Sequence, residues 1–287
     1  MILDGHIHVN RQDVDTEELN KRLSKAGIDG GLLISLRPQS FTQQARSYPN
    51  TIERLDNLIQ WTYGNENLFP FFWIDPLEDD ALSQVDMAVE RGVMGFKVIC
   101  NNFYPYDPIA MKVFKRIADV GKPILFHSGI LWDGMPSGIY NRPSNFETLL
   151  MIDGLKFTLA HVSWPWYDEN IAVYGKFLNA YSKRPDLSVE MFIDVTPGTP
   201  QIYREEVLTK LFTIGYDIDD NIIFGTDCNT NEYNVNWAKD WILRDNSIYD
   251  KLEISCETRK KIYSENLLRF VGVIDKKVEH KSLKSGE

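Results

Sequence analysis

Two histidines near the start of the chain have the spacing of paired metal ligands. His6 and His8 are separated by one residue in the segment DGHIHV. On a β-strand this spacing directs both side chains to the same face. A single buried histidine is ordinarily a hydrogen-bonded core residue, whereas two imidazoles on one rigid element can share a divalent ion. The pair therefore predicts a metal site.

Three further residues with metal-binding or proton-transfer groups each end an apolar run. His127 follows PILF, His161 follows FTLA, and Asp227 ends IIFGTD. An isolated aspartate at a strand end is more often a cap for the next helix. Beside His6 and His8, however, His127 and Asp227 complete a set of nitrogen and oxygen ligands suited to zinc, manganese or iron, with open positions for water and substrate.

These residues need a scaffold that brings distant strand ends together. Short apolar runs alternate with longer amphipathic segments along the chain, which is typical of β–α units and a parallel sheet. The pattern predicts eight strands, at Ile2 to Val9, Gly30 to Leu36, Phe69 to Asp75, Gly95 to Ile99, Pro123 to Ser128, Lys156 to His161, Ser188 to Asp194 and Ile222 to Asp227. Eight parallel strands close a barrel, and catalytic residues lie at the carboxyl ends of its strands. The predicted fold is α/β, a (β/α)8 TIM barrel.

Helices are predicted between the strands from apolar periodicity and from end signals such as Gly27, Gly92 and Gly121. They span Thr16 to Ala26, Asp79 to Arg91, Ile109 to Val120, Asp168 to Tyr181, Tyr203 to Ile214, Asn234 to Leu243 and Glu257 to Phe270. No linker rich in proline, glycine or serine divides the 287 residues. We expect one catalytic barrel over residues 1–272, followed by a polar tail over residues 273–287.

Charge and cysteine usage restrict the partners and the compartment. With 41 acidic and 31 basic residues the net charge is −10, which disfavours binding to nucleic acid. Three scattered cysteines indicate a reducing, cytoplasmic location, and we expect Cys100 and Cys228 to be small buried hydrophobic residues. The segment MILDGHIHV lacks the basic region of a signal peptide, and no apolar stretch is long enough for a membrane helix.

The irregular segments after the strands are rich in aromatic residues, which either wall a pocket for a ring or pack the loops down. Trp132 and Trp164 are the candidates for substrate contact among them. Arg37 and Arg142, after the second and fifth strands, are candidate anchors for an anionic group, because guanidinium binds carboxylate through two hydrogen bonds. We expect a small anionic substrate, and exposed aromatic residues are compatible with a homodimer.

Taken in order, the HxH pair, the strand-ending His127 and His161, Asp227 in GTD and the closing ENLLRF resemble the amidohydrolase superfamily. The resemblance extends from Met1 to about Gly272. It is strongest to the branch of TIM-barrel enzymes that includes aminocarboxymuconate semialdehyde decarboxylase and several lactone hydrolases. It implies one metal ion, zinc before manganese or iron, held by His6, His8, His127 and Asp227. It also implies that Asp227 takes the proton of the attacking water and that His161 positions the water or polarises the substrate.

Lys97, in GFKV on the fourth strand, has three interpretations. The first is a cation that meets a substrate carboxylate or carbonyl. The second is a lysine that extends to the barrel rim. The third is a carboxylated lysine that bridges two metal ions, as some members of the superfamily have.

Three functional hypotheses follow. The first is a metal-dependent hydrolase in which activated water attacks an ester, lactone or amide carbonyl of a small, carboxylated metabolite. The second uses the same site for non-oxidative decarboxylation or hydration, which is lyase chemistry. The third is a metal-binding barrel without catalysis, which the complete set of ligands and the base argue against. A TatD-like nuclease shares the HxH pair, but the net charge and the lack of further acidic ligands disfavour it.

Overall fold

The computed structural model describes residues 1–41 and 48–275. Its parallel strands form one sheet in the order β8-β7-β6-β5-β4-β3-β2-β1-β9. They are β1 (Leu3–His8), β2 (Gly30–Ile34), β3 (Leu68–Trp73), β4 (Gly95–Val98), β5 (Ile124–Phe126), β6 (Lys156–Leu159), β7 (Glu190–Asp194), β8 (Ile222–Ile223) and β9 (Cys228–Asn229). The predicted α/β barrel class is confirmed.

The eighth predicted strand, Ile222 to Asp227, is wrong in its bounds, because the chain leaves the strand conformation within it. β8 pairs with β7, and β9 pairs with β1. Between them the backbone N–H of Gly5 donates to the carbonyl of Phe224 at 2.8 Å, and that of Asp227 donates to the carbonyl of His6 at 3.0 Å. These bonds close the sheet on β1 and place Asp227 beside the HxH pair.

Among the described residues, six α-helices lie between strands of the sheet and three follow its last strand. They are α1 (Thr16–Ala26), α2 (Thr51–Thr62), α3 (Ala81–Glu90), α4 (Pro108–Asp119), α5 (Tyr167–Lys183), α6 (Arg204–Thr213), α7 (Val235–Lys251), α8 (Cys256–Lys260) and α9 (Asn266–Phe270). α2 was not predicted, although Asn50 and Glu53 form a capping box at its start. The predicted helix from Glu257 to Phe270 consists of α8, a π-helical turn and α9.

The barrel interior is apolar at the end opposite the histidines. Phe71 and Phe192 each pack against Phe270 of α9, with ring centroids 6.0 and 5.1 Å apart. Arg269 binds Glu190 at the start of β7, so α9 lies at the amino ends of the strands. The histidines therefore lie at the opposite, carboxyl ends of the strands.

The described part of the chain contains no helix that is long and apolar enough to cross a membrane. Residues 276–287 of the predicted tail lie outside the described residues.

Candidate active site

Three of the predicted ligands converge at the carboxyl end of the barrel. The Nε2 atoms of His6 and His8 are 3.2 Å apart. Oδ1 of Asp227 lies 3.7 Å from Nε2 of His6 and 3.4 Å from Nε2 of His8. We call these three residues the ligand triad.

Asp194, at the end of β7, fixes the orientation of His6. Nδ1 of His6 lies 2.8 Å from Oδ2 of Asp194, and both side chains are fully buried. Burial, followed by the charge of Lys97, lowers the pKa of His6 well below its ordinary value, so the ring is neutral. A carboxylate accepts but does not donate, which places the proton on Nδ1 and leaves the Nε2 lone pair for a ligand bond. Asp194 was not predicted as a site residue, although it ends an apolar run as Asp227 does.

A second buried carboxylate, Asp4, holds the turn that carries Asp227. Asp4 accepts hydrogen bonds from the backbone N–H of Thr226 at 2.9 Å, from its hydroxyl at 2.5 Å, and from the Tyr233 hydroxyl at 2.8 Å. Burial raises the pKa of Asp4 to about 6. Asp227 itself has a φ of 60°, a left-handed conformation that is costly for a residue with a side chain. Asp4 therefore positions Asp227 through Thr226.

The protonation of Asp227 depends on opposing effects. Burial acts to raise its pKa, but the hydrogen bond from His8 and the neighbouring charge of His161 hold that pKa below its ordinary value. Asp227 is thus an anion at neutral pH, which is the form required of a metal ligand or a general base.

Lys97 points into the barrel next to the triad, so the interpretation of a rim lysine is wrong. Only 1% of the residue is exposed, and Nζ lies 3.4 Å from Nε2 of His6. Burial lowers the pKa of Lys97 to about 7, although Asp194 and Asp227 act in the opposite direction.

His127 and His161 lie beside the triad and not within it. Their ring centroids are 5.1 Å apart, and the His161 ring lies 5.2 Å from that of His6. Burial lowers the pKa of both imidazoles. Nε2 of His127 is buried and has no hydrogen-bond partner among the described residues.

His161 lies beyond β6 on strained backbone and not, as predicted, within the strand. His161, Val162 and Ser163 have φ values of 62°, 45° and 59°. Asn170 of α5 supports this turn with a 2.6 Å hydrogen bond from its amide to the Ser163 hydroxyl. The His161 ring packs against Gly198, where a Cβ atom would lie 2.8 Å from the ring.

A cavity of about 600 Å³ opens onto these residues. Its walls include the predicted substrate contacts Arg37, Lys97, Trp132 and Trp164, together with Phe41, Trp73, His127 and His161. Trp132 is 81% exposed and forms part of the mouth.

The structure does not bring Arg142 into this cavity. Its guanidinium binds Glu169 at 2.5 Å and lies over the ring of Trp166. The prediction that Arg142 anchors the substrate is corrected accordingly, because Glu169 already satisfies it. Cys100 and Cys228 are buried, as expected.

The ligand triad fits a divalent ion. Ligands held at 2.0–2.1 Å around a tetrahedral zinc ion lie about 3.3 Å from one another, close to the spacings of 3.2, 3.4 and 3.7 Å here. The unpartnered Nε2 of His127 lines the same cavity, so His127 is a candidate for a fourth ligand and a third nitrogen donor.

A family model described as amidohydrolase matches residues 4–273. The chain belongs to the amidohydrolase family. Amidohydrolases are generally metal-dependent enzymes, in agreement with the His6, His8 and Asp227 group. Membership therefore supports an enzymatic activity for this amidohydrolase.

Solved structures similar to this amidohydrolase establish its barrel fold. An uncharacterised TIM-barrel protein from Bordetella bronchiseptica is 16% identical, with a TM-score of 0.66 over 94% of this chain and 98% of that chain. A 2,6-dihydroxybenzoate decarboxylase is 14% identical, with a TM-score of 0.62 over 95% and 98%. A probable 2-pyrone-4,6-dicarboxylic acid hydrolase from Acinetobacter baumannii is 12% identical, with a TM-score of 0.56 over 94% and 99%. The comparison with curated proteins gives no match.

Proposed function

We propose that this amidohydrolase is a metal-dependent hydrolase that cleaves an ester, lactone or amide bond in a small, carboxylated metabolite. The observation that carries the proposal is the spacing of the ligand triad, with the His6 lone pair directed by Asp194. His6, His8 and Asp227 hold the ion, His127 supplies a further nitrogen, and zinc is the first expectation before manganese or iron.

The bound ion would polarise the carbonyl and lower the pKa of water. Asp227 is the base that takes the proton of the attacking water, since its carboxylate is ionised and partly exposed to the cavity. His161 orients the water or the substrate carbonyl from its supported turn. Lys97 meets the substrate's carboxylate or carbonyl inside the barrel, and Arg37 anchors an anionic group at the wall.

The first test is metal content. Protein purified without chelators should contain about one zinc, manganese or iron per chain by elemental analysis, and chelated protein should regain ester or amide hydrolysis when the ion is restored. The absence of an ion, together with no binding of added zinc or manganese, would refute the proposal.

The second test is the substitution Asp227→Asn, which removes the base. It should abolish turnover while the circular dichroism spectrum stays unchanged. Asp168→Asn, at an exposed aspartate of α5 that pairs with Lys210, is the matched control and should keep full activity. Undiminished turnover in Asp227→Asn would contradict the assigned role.

Decarboxylation is the second candidate, because Lys97 places a cation next to the triad, where a carboxylate could bind. Release of carbon dioxide from candidate acids, with no hydrolysis of esters or amides, would favour it.

A further inference from the structure

A second cavity adjoins the first at the triad. It has a volume of about 620 Å³ and is lined by residues at or just after the carboxyl ends of β1, β2, β3 and β9. His8, Arg37 and Trp73 line both cavities. A ligand residue therefore stands in the wall between two spaces, each of a size that holds a small organic group.

The two cavities differ in chemistry. Aromatic rings of Phe41, Trp132 and Trp164 line the first cavity but not the second. The second has the side-chain amides of Asn10, Gln12 and Asn229, which donate and accept hydrogen bonds. The first space offers more ring surface, whereas the second, which also contains Tyr48, offers more amide groups for a polar substituent.

Charge adds a preference for an anion in the second cavity. Arg37 lines it from the shared wall, and Arg11 lines it from the β1 side, where its guanidinium is 3.8 Å from Glu232. Arg37 is exposed, and the planar face of its guanidinium packs over the ring of Tyr48. Guanidinium groups of this kind bind carboxylates.

We propose that the substrate is an ester or amide that joins two multi-atom groups, one an apolar ring and the other a polar, carboxylate-bearing group. This inference rests on the proposed hydrolase function. The ring occupies the first cavity, the carboxylate-bearing group the second, and the scissile bond lies at His8 between them. In the reaction a water oxygen bonds to the carbonyl carbon, the C–N or C–O bond breaks, and the leaving atom takes a proton.

The same arrangement separates hydrolysis from decarboxylation. Carbon dioxide is a leaving group of three atoms and requires no second cavity. Hydrolysis of a conjugate releases two products of comparable size, which matches two spaces of about 600 and 620 Å³ on either side of one ligand.

Hydroxamates test this geometry without a known substrate, because they chelate zinc and carry substituents on both sides. We would measure binding to the zinc-loaded protein by calorimetry, comparing N-benzoyl-N-hydroxyglycine with N-methylbenzohydroxamic acid. Both have the benzoyl ring, and only the first has a carboxylate. We expect the carboxylate to improve affinity about tenfold, the effect of one charge-assisted contact.

Variants of the second cavity locate that gain. Asn10→Trp fills the cavity and should remove the tenfold difference. Asn10→Ala, the matched control, leaves the space open and both arginines in place, so it should keep most of that difference. Gln12→Trp fills the same space from another residue and serves if Asn10→Trp does not fold. Affinity for N-methylbenzohydroxamic acid should stay within about twofold in the folded variants.

The outcomes separate the metal site from the two-cavity substrate. If neither hydroxamate binds the zinc-treated protein, the metal site and the proposed function fail together with the inference. If both bind and the carboxylate gives no gain, or if the gain survives both tryptophan substitutions, the two-cavity substrate is refuted while the metal site stands.

Discussion

Asp194 is expected to control zinc affinity through the tautomer of His6, and Asp194→Asn tests this. Oδ1 of Asp194 accepts a 2.6 Å hydrogen bond from the backbone N–H of Thr196, while Oδ2 accepts a hydrogen bond from Nδ1 of His6. An asparagine must keep its oxygen toward Thr196, which places its NH2 group against Nδ1 of His6. That group donates, so the imidazole proton moves to Nε2 and occupies the ligand position.

The size of the effect follows from burial. Both side chains are fully buried, so water cannot replace the lost interaction. Loss of a carboxylate that orients a metal-binding histidine typically weakens metal affinity about 10- to 100-fold, which corresponds to about 1.4–2.7 kcal/mol. We expect the upper half of this range, because the asparagine both loses the charge and favours the wrong tautomer.

The assay is competition for zinc against a chromophoric chelator at pH 7. Glu190→Gln is the matched control, because Glu190 is a buried carboxylate at the other end of β7 and pairs with Arg269. It should leave zinc affinity within about twofold of the unmodified protein. Wild-type affinity in Asp194→Asn, or an equal loss in Glu190→Gln, would refute the reasoning.

Three other substitutions probe the supports of the site. Burial raises the pKa of Asp4 to about 6, so ionisation of Asp4 lowers the free energy of unfolding as the pH rises from about 4 to 6. Asp4→Asn lacks this loss. Between pH 3.5 and pH 7 its free energy of unfolding, measured with urea, should therefore rise by about 3 kcal/mol relative to that of the wild type. Gly198→Ala places a Cβ atom 2.8 Å from the His161 ring, and it should reduce kcat/KM about 10- to 100-fold with little change in Tm; full activity would argue against the role of His161. Arg204→Met leaves the fully buried Asp245 without its partner, and it should cost about 3–5 kcal/mol in denaturant unfolding, much of which Asp245→Leu in the same chain should restore.

Much of the barrel follows from local sequence patterns. α1 begins and ends at the predicted residues, where Asp15 caps its start and Gly27 adopts the left-handed conformation at its end. The HxH pair could be placed because a strand's period of two leaves no alternative to a shared face. Seven predicted strands agree with observed ones except at their ends, where pairing with neighbours decides which residues join the sheet. In place of the eighth, β8 covers only its first two residues, and β9 was not predicted.

The parts that could not be predicted depend on contacts between distant segments. Asp194 contacts His6 across 188 positions. Its place at the end of an apolar run marks a carboxylate at a strand end but does not identify its partner. Lys97 is buried because the barrel interior surrounds it, whereas its own segment gives no preference between rim and interior. Arg142 binds Glu169, which lies 27 residues away. The position of Arg142 after a strand end therefore did not predict whether its side chain enters the cavity.

Backbone conformation at the site explains the most informative of these misses. Periodicity treats His161 and Asp227 as strand residues, yet both adopt left-handed conformations with φ values of 62° and 60°. Each such conformation costs on the order of 1–3 kcal/mol, and it persists only where surrounding contacts compensate. For Asp227 these contacts are the hydrogen bond from its backbone N–H to the His6 carbonyl and the hydrogen bond from the Thr226 hydroxyl to Asp4.

The same bonds explain why strain and ligand geometry occur together. The carbonyl of His6 accepts a hydrogen bond from the N–H of Asp227, and the imidazole of the same residue lies beside the Asp227 carboxylate. One residue of β1 therefore positions both the backbone of Asp227 and the donor atoms of the triad. The left-handed conformation of Asp227 is therefore supported by β1 itself, which holds the Asp227 carboxylate beside the two imidazoles of the triad.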